Sequence, residues 1–291
     1  MFGSAASPIS QFHIDVVTYY LRAYFVVGIV SLALTGWTHV LSPSLSETLN
    51  NLLLFGKIRS TKRSKWQQRI EVPKRWFVHF YALASVYGVC TVAALYGYAR
   101  AYDFWHPSFT SPRLRLAACL FTVHSFRRLY ECLFVSVFSE SYMNLLHYAM
   151  GLTFYVAVLL GMPFGYRPVK GETLQHWQVV LGVIIYLWST YHQHVSFRIL
   201  AQLRDGRSNR THSIPEGDLF RFVSSPHYLC ECCLYASFWL ILGFSHTIWP
   251  YVIVFVWNNQ ILCAIMTHRW YVKTFNTKYP KHRCVFIPLV W

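Results

Sequence analysis

Apolar residues are concentrated in seven stretches of the chain, and polar or basic connections separate them. A helix needs about 20 mainly apolar residues to cross the hydrocarbon core of a bilayer. Since each stretch has about that length, we predict an all-α integral membrane protein built as a seven-transmembrane-helix bundle. The predicted helices span residues 15–37, 76–99, 115–138, 142–162, 175–199, 228–245 and 247–271.

The composition favours a membrane protein and argues against a soluble one. Of 291 residues, 55% are apolar and only 13% are charged, whereas soluble domains average about 25% charged residues. The chain is also basic, with 26 Lys and Arg against 11 Asp and Glu. Because the basic residues lie between apolar stretches and not over one soluble face, we expect a bilayer and no nucleic acid as the partner. No connection is long enough for a second domain, so we predict one domain over residues 1–291.

Lysines and arginines cluster in the connection between the first two helices, in the connection between the fifth and sixth, and in the carboxyl-terminal tail. In a bundle of seven helices these three segments lie on the same side of the membrane. The positive-inside rule makes that side cytosolic, so we predict a lumenal or external amino terminus and a cytosolic carboxyl terminus. The same charge could also bind phosphate, and the sequence leaves both interpretations open. The clusters comprise Lys57, Arg59, Lys62, Arg63, Lys65, Arg69, Lys74 and Arg75, then Arg204, Arg207, Arg210 and Arg221, then Lys273, Lys278, Lys281 and Arg283.

Four ionisable residues interrupt the third apolar stretch. His124, Arg127, Arg128 and Glu131 recur at positions i, i+3, i+4 and i+7, so they share one face of a helix. A charge in the middle of a membrane costs about 2.5–3.5 kcal/mol on insertion scales, and such residues pair internally or line a cavity. The stripe therefore predicts either a buried ion pair between Glu131 and one of the two arginines, or the wall of a cavity that holds water or a ligand.

Polar residues in three other predicted helices could line the same cavity. His227 and Glu231 lie one turn apart after Ser225 and Pro226, a natural cap and a natural first-turn residue. A helix that begins there directs free N–H groups at an anion. Each position alone is also explained by an ordinary polar contact within a bundle. The others are His192, Gln193 and His194 in the fifth helix, and Asn258, Asn259, His268 and Tyr271 in the seventh.

The sequence gives no support for a bound metal. Cys230, Cys232 and Cys233 lack the second ligand pair of a structural zinc site, and we interpret the cysteines as small buried apolar residues. His192 and His194 form the only close histidine pair, too few imidazoles for a di-iron centre. No Gly-x-Gly-x-x-Gly or P-loop pattern occurs, so any dinucleotide would have to bind inside the bundle.

Four motifs together resemble the steroid 5-alpha-reductase family and, within it, the polyprenol reductase branch. The resemblance runs from about residue 70 to the end of the chain. The motifs are Val72-Pro73-Lys74-Arg75-Trp76-Phe77-Val78-His79-Phe80-Tyr81, Arg127-Arg128-Leu129-Tyr130-Glu131-Cys132, Val223-Ser224-Ser225-Pro226-His227-Tyr228-Leu229-Cys230-Glu231, and Tyr279-Pro280-Lys281-His282-Arg283 with Ile287-Pro288.

This resemblance implies a seven-helix enzyme of the endoplasmic reticulum membrane that uses NADPH to saturate a carbon–carbon double bond. The branch implies the alpha-isoprene unit of polyprenoids as the substrate, which supplies dolichol for N-glycosylation. The catalytic part would cover residues from about 115 to 291, around a cavity for cofactor and substrate, and no obligate protein partner is implied. The family's cofactor contacts fall at Arg128, Gln193, Arg204, His227, Glu231 and Tyr271, with His212 a weaker match.

The chain also departs from the steroid enzymes of that family. Phe197, Cys263 and Thr267 stand where those enzymes have an acidic residue, an arginine and a histidine. Their substrate-side Tyr and Glu correspond to Ser125 and to the neighbourhood of His79 and Phe80. We therefore do not expect the binding of a steroid to carry over.

The chemistry restricts the substrate further. Hydride adds to an alkene only when the developing charge is delocalised, so we expect a conjugated aldehyde, polyprenal, and not the isolated alcohol. A donor must then hold the aldehyde oxygen as enolate charge grows, and our candidates for this donor or for the proton source are His79, Tyr81 and His124. The alternatives are a reductase of steroid enones or enoyl-CoA with the same architecture, or a lipid transporter without chemistry.

Overall fold

The structure is a computed structural model. It describes residues 8–37, 40, 71–97, 109, 111–138, 142–167, 176–204 and 212–288. The basic residues predicted between positions 57 and 69, together with Arg207 and Arg210, lie outside these ranges.

Within the described ranges, a long α-helix occupies each of the seven predicted positions, with boundaries shifted by a few residues. Two helices continue into one turn of π-helix, Ala33–Trp37 after the first and Glu131–Val135 after the third. The seven are α1 (Pro8–Leu32), α2 (Phe77–Gly97), α3 (Pro112–Tyr130), α4 (Leu145–Gly165), α5 (His176–Gln202), α6 (Pro226–Leu242) and α7 (Trp249–Phe275).

Among the described residues, four helices are long and apolar enough to cross a membrane, which makes the chain a multi-pass membrane protein. These spans are Gln11–Leu32, Lys74–Gly97, Leu145–Gly165 and Trp249–Lys278. The other three helices are less typical of single spans. Helix α3 carries four arginines, α5 carries several histidines and glutamines, and α6 has only 17 residues.

Local sequence explains where several helices begin. The Asn144 side chain accepts the Leu146 N–H at 2.8 Å, which satisfies a free donor of the first turn of α4. Proline occupies the first turn of α3, α6 and α7, where its missing N–H costs nothing. Helix α6 ends before Gly243, whose φ of 90° is one that glycine adopts readily.

A short antiparallel sheet, which the sequence did not predict, joins the segments that precede α2 and α4. Strand β1 (Glu71–Pro73) pairs with β2 (Tyr142–Asn144), with Val72 opposite Met143. Both side chains of that pair are buried. The sheet therefore fixes the starts of α2 and α4 beside each other.

The two ends of the bundle are held by different contacts. At one end, the Arg204 guanidinium at the end of α5 donates to the Val137 carbonyl after α3 at 2.6 Å. A parallel bridge there pairs Val223, before α6, with Cys284, after α7. At the other end, the Thr247 N–H before α7 donates to the Gly165 carbonyl of α4 at 2.9 Å.

Aromatic side chains fill the core between the two ends. Phe154 of α4 stacks on Phe255 of α7, with ring centroids 5.4 Å apart. Phe25 of α1 meets both rings edge-on. A Cβ at Gly28 would lie 2.8 Å from the Phe255 ring, so only glycine lets α1 approach α7 this closely.

Candidate active site

The ionisable stripe of α3 is buried. Glu131 is fully inaccessible, His124 is 1% exposed and Arg128 is 8% exposed, while Arg127 is partly covered. The one-turn spacing predicted from the sequence puts all four side chains on the face of α3 and its π-helical continuation that points into the bundle. Since charged groups at such a position need partners, the arrangement of their contacts decides what they can do.

Glu131 binds both arginines of the stripe. Its Oε1 accepts Arg127 NH1 at 2.7 Å, and its Oε2 accepts Arg128 NH1. The ring of His194 on α5 lies 2.8 Å from the same Oε1. The predicted ion pair is thus confirmed, and it includes both arginines.

Gln193 connects this cluster to α6. Its side-chain oxygen accepts a hydrogen bond from Arg127 NH2, and its amide nitrogen donates to Glu231 Oε2 at 2.5 Å and to the His227 carbonyl at 3.3 Å. Arg127 and Arg128 carry two positive charges, and Glu131 and Glu231 carry two negative charges. The network across α3, α5 and α6 is therefore charge-balanced, which lowers the free-energy cost of burying it.

Arg128 extends the network to a tyrosine of α2. Its Nε and NH2 donate to the Tyr81 hydroxyl oxygen at 3.3 and 3.1 Å. Its guanidinium carbon lies 4.9 Å from the centroid of the Tyr81 ring and 3.9 Å from that of the Phe197 ring. The aromatic faces and the carboxylate of Glu131 together fix the guanidinium in one orientation.

These side chains open onto a cavity of about 440 Å³ between the helices. One wall is polar, and Tyr81, Arg128, Gln193, His227 and Glu231 contribute to it. The rest of the lining is largely apolar, and we call its apolar residues the apolar wall. They include Leu32, Phe80, Met150, Phe154, Phe255 and Val256. A space with a few fixed polar groups and a largely apolar lining is typical of a site for a small molecule.

Other predicted site residues lie away from the lining of this cavity. His124 belongs to the network, with Nδ1 3.1 Å from Arg127 NH2 and Nε2 4.0 Å from Glu231 Oε1. The ring of His79 lies 2.9 Å from the Tyr148 hydroxyl. Arg204 donates to the Val137 carbonyl, as described above. Tyr271 stacks on Tyr279, and His212 meets Trp270 edge-on with centroids 4.9 Å apart.

Sequence reasoning did not select two tyrosines that line the cavity. Tyr155 of α4 lies with its ring 5.6 Å from Tyr81, and Tyr235 lies on α6 one turn after Glu231. Tyr155 sits in a mainly apolar helix without Asp, Glu, Lys or Arg, so no charged neighbour in the sequence marked it. Tyr235 continues the spacing of His227 and Glu231 by four residues, and that periodicity was the available signal.

Comparison with known proteins decides the family. The model of the 3-oxo-5-alpha-steroid 4-dehydrogenase family matches residues 142–291. The polyprenal reductase of Xenopus tropicalis is 36% identical over 276 residues, which cover 85% of this chain and 89% of the relative. The polyprenal reductase of Homo sapiens is 32% identical over 305 residues, which cover 93% and 96%. The chain belongs to the 3-oxo-5-alpha-steroid 4-dehydrogenase family.

A more distant relative extends the likeness to invertebrates. The polyprenal reductase of Caenorhabditis elegans is 30% identical over 302 residues, which cover 93% of this chain and 96% of the relative. The resemblance drawn from the four motifs is thereby confirmed. As a member of the 3-oxo-5-alpha-steroid 4-dehydrogenase family, the protein is a reductase, and a reductase of this family uses a nicotinamide cofactor.

The polar wall suits such a cofactor. Arg128 uses three of its five N–H groups on Glu131 and Tyr81, so two remain for phosphate or carbonyl oxygens. The Glu231 carboxylate can accept from an amide or a ribose hydroxyl. The buried Ser225 hydroxyl, next to the first turn of α6, has no hydrogen-bond partner among the described residues. Ser225 is not among the residues that line the cavity, so the fit of the cofactor rests on Arg128 and Glu231.

Proposed function

We propose that this protein is an NADPH-dependent polyprenal reductase. It saturates the alpha-isoprene double bond of polyprenal and so supplies dolichol for protein N-glycosylation. The pairing of Tyr81 with Arg128 at the cavity wall carries the proposal. The three relatives described above are each named polyprenal reductase, which supports the choice of substrate.

Arg128, Gln193, His227 and Glu231 would hold the cofactor, since they share the polar wall. Arg204 and Tyr271 also belong to the proposed binding set, at the end of the bundle where α5 and α7 finish. When bound, NADPH supplies the hydride that adds to C3 of the substrate. The positive charge of Arg128 favours the phosphate groups, and Arg204 is our candidate for the 2′-phosphate.

Tyr81 is our first candidate for the donor to the aldehyde oxygen. Its oxygen already accepts two N–H groups from Arg128, and its side chain also hydrogen-bonds with Tyr155 of the cavity lining. In our proposal the aldehyde oxygen replaces Tyr155 as the partner of the Tyr81 proton. A donor that lies where enolate charge develops stabilises the transition state more than the ground state. The one proton that the reaction consumes goes to C2 and comes from Tyr81, His79 or His124. Of these three residues, Tyr81 alone is part of the cavity lining.

The apolar wall would receive the isoprene units. Phe80, Met150, Phe154 and Phe255 offer no hydrogen-bonding side chain, and a prenyl chain requires none. Burial of apolar surface gives about 25 cal/mol per Å², so the tail contributes affinity without polar recognition. We infer that the tail leaves the cavity between helices into lipid.

We further propose that all seven helices cross the endoplasmic reticulum membrane and that the carboxyl terminus is cytosolic. The charge-balanced network supports membrane burial of α3, α5 and α6, because it neutralises the charges that lower their hydropathy. The basic segments near Lys74, Arg204 and Lys278 belong to one end of the bundle. The positive-inside rule assigns that end to the cytosol.

Reduction assays on detergent-purified protein test the proposed activity. With NADPH, the protein should convert polyprenal to the saturated aldehyde and leave a polyprenol of equal length unchanged, with a steroid enone as the third substrate. The tail is the same in both polyprenoids, so only conjugation with the carbonyl explains a difference. Saturation of aldehyde-free polyprenol at a comparable rate would overturn the mechanism. If the protein preferred the steroid enone, the substrate would be a steroid and not polyprenal. If the protein did not bind NADPH, the alternative of a lipid transporter would be favoured.

A further inference from the structure

The segment that follows α7 folds back against the start of α6. The Cys284 N–H donates to the Phe222 carbonyl at 2.8 Å, and the Ser224 N–H donates to the Cys284 carbonyl at 3.0 Å. We call residues 279–286 the C-terminal clasp. Its backbone is thus paired with the three residues that precede Ser225.

A buried polar cluster reinforces this pairing. The Ser224 hydroxyl oxygen lies 2.7 Å from the Tyr279 hydroxyl and 2.6 Å from Nδ1 of His268 on α7. Ser224 and Tyr279 are 1% and 4% exposed. Because hydrogen bonds in such a dry environment are costly to break, the cluster fixes Ser224 between the clasp and α7.

The clasp also reaches α7 and the α5–α6 connection. The Tyr279 ring stacks on Tyr271 with an interplanar angle of 8° and centroids 5.5 Å apart. Arg283 NH1 donates to the Pro215 carbonyl at 3.0 Å. One short segment therefore connects three parts of the chain that are far apart in sequence.

Ser224 lies directly before the start of α6, a helix whose first two turns contribute to the cavity. Ser225 occupies the cap position of α6, but its side chain makes no capping hydrogen bond. The interaction that commonly fixes a helix start is therefore missing. His227 follows in the first turn and Glu231 in the second, and both line the cavity. The residue before the cap position, Ser224, is instead the one that binds the clasp.

We propose that Tyr279, acting through Ser224, is a positioning residue that holds the first turn of α6, so that His227 and Glu231 reach the cavity. Its effect on NADPH binding rests on the proposed function. The hydroxyl of Tyr279 fixes the helix start, and its ring holds Tyr271 in place. This gives the pairing of Tyr279 with Ser224 a role separate from contact with any ligand.

Three variants test the proposal: Tyr279→Phe, Ser224→Ala and the double variant. Tyr279→Phe keeps the ring that stacks on Tyr271 and removes only the hydroxyl. We expect the dissociation constant of NADPH, measured by fluorescence titration, to rise about three- to tenfold, the range for one lost hydrogen bond. The kcat at saturating NADPH should change less than about twofold. The double variant should bind NADPH no more weakly than Ser224→Ala alone, because Ser224→Ala already removes the bond to Tyr279 together with those to His268 and to the Cys284 carbonyl.

Hydrogen exchange of the backbone amides over residues 222–229 provides the readout that needs no ligand. These amides should exchange faster in Tyr279→Phe and Ser224→Ala than in wild type. Tyr19→Phe on the exposed face of α1 is the matched control and should change neither exchange nor binding. If Tyr279→Phe does not fold, Ser224→Ala carries the test.

Two results would overturn the proposal. One is unchanged exchange over residues 222–229. The other is faster exchange with unchanged NADPH binding, which would make the clasp purely structural. Failure of the proposed function is recognisable separately, because wild-type protein would then bind no NADPH while the exchange measurement still shows whether the clasp holds α6.

Discussion

Arg128 combines a structural contact and a cavity contact in one side chain. The sequence left a buried ion pair and a cavity wall as alternatives, and the guanidinium fulfils both. One edge of it binds Glu131 and another binds the Tyr81 hydroxyl, while the group also borders the cavity. This is possible because a guanidinium has five N–H groups in one rigid plane.

We predict that Tyr81→Phe lowers kcat by about 100-fold or more, the range for loss of one preorganised donor to an oxyanion. KM for polyprenal should change little, because the donor acts mainly in the transition state. Steady-state kinetics with purified protein measures both constants. Tyr96→Phe, at an exposed position of the same helix, serves as the control.

A Tyr81→Phe variant with wild-type kcat would remove Tyr81 from the mechanism. The donor would then have to be His79 or His124, neither of which borders the cavity in this structure. His124 is the nearer of the two to the polar wall, since its Nε2 lies 4.0 Å from Glu231.

The turn between α6 and α7 shows how one histidine can organise a helix start. His246 Nδ1 accepts the N–H groups of Ile248 and Trp249 at 3.2 and 3.0 Å. Its Nε2 lies 3.0 Å from the Met162 carbonyl, so Nε2 carries the proton and donates. The neutral ring thus caps α7 and binds α4. Burial is the main cause that lowers the pKa of His246 to about 3, and the nearby Arg167 contributes in the same direction.

This geometry predicts a pH dependence of stability. His246 stays neutral when folded but has a pKa of about 6.5 when unfolded, so the unfolded state takes up the proton first as the pH falls. The stabilisation is complete above about pH 6.5 and declines towards pH 3, by up to about 1.4 kcal/mol per pH unit. Thermal unfolding in detergent between neutral pH and about pH 5 measures it.

The His246→Ala variant provides the comparison. It should be less stable than wild type at neutral pH by about 2–4 kcal/mol, because two N–H groups and one carbonyl lose their partner. The difference from wild type should shrink as the pH falls. His176→Ala, at an exposed position of α5, should behave like wild type. A pH-independent difference would show that protonation of His246 is not coupled to unfolding.

The distribution of basic residues over the whole molecule predicts its orientation in the membrane. Asn209-Arg210-Thr211 is a glycosylation sequon, and it lies in the α5–α6 connection, outside the described residues. The positive-inside rule places that connection in the cytosol. We therefore expect Asn209 to remain unmodified in cells.

Mass analysis before and after endoglycosidase treatment measures this. An amino-terminal extension that carries an added sequon is the positive control and should be glycosylated, because the amino terminus is predicted on the lumenal side. A glycan mapped to Asn209 would reverse the orientation of the whole bundle. The cavity and its network would be unaffected, since they do not depend on orientation.

Local sequence was sufficient to locate the helices and the polar stripe. Apolar length gave the seven helical segments, and a four-residue spacing placed His124, Arg127, Arg128 and Glu131 on one face. Both signals depend only on the geometry of a single helix. The four motifs likewise identified the family, because they record residue types along the chain and not their spatial arrangement.

The tertiary structure alone decided which side chains meet. Glu131 contacts His194, and Gln193 connects Arg127 to Glu231, because particular faces of α3, α5 and α6 pack together. Helical periodicity does not specify which helix is the partner. The same packing brings Tyr81 and Tyr155 to the cavity, leaves His79 beside Tyr148, and joins Ser224 to Tyr279 across 55 residues. Contacts between distant segments depend on how the whole chain closes, and no local pattern in this sequence encodes that.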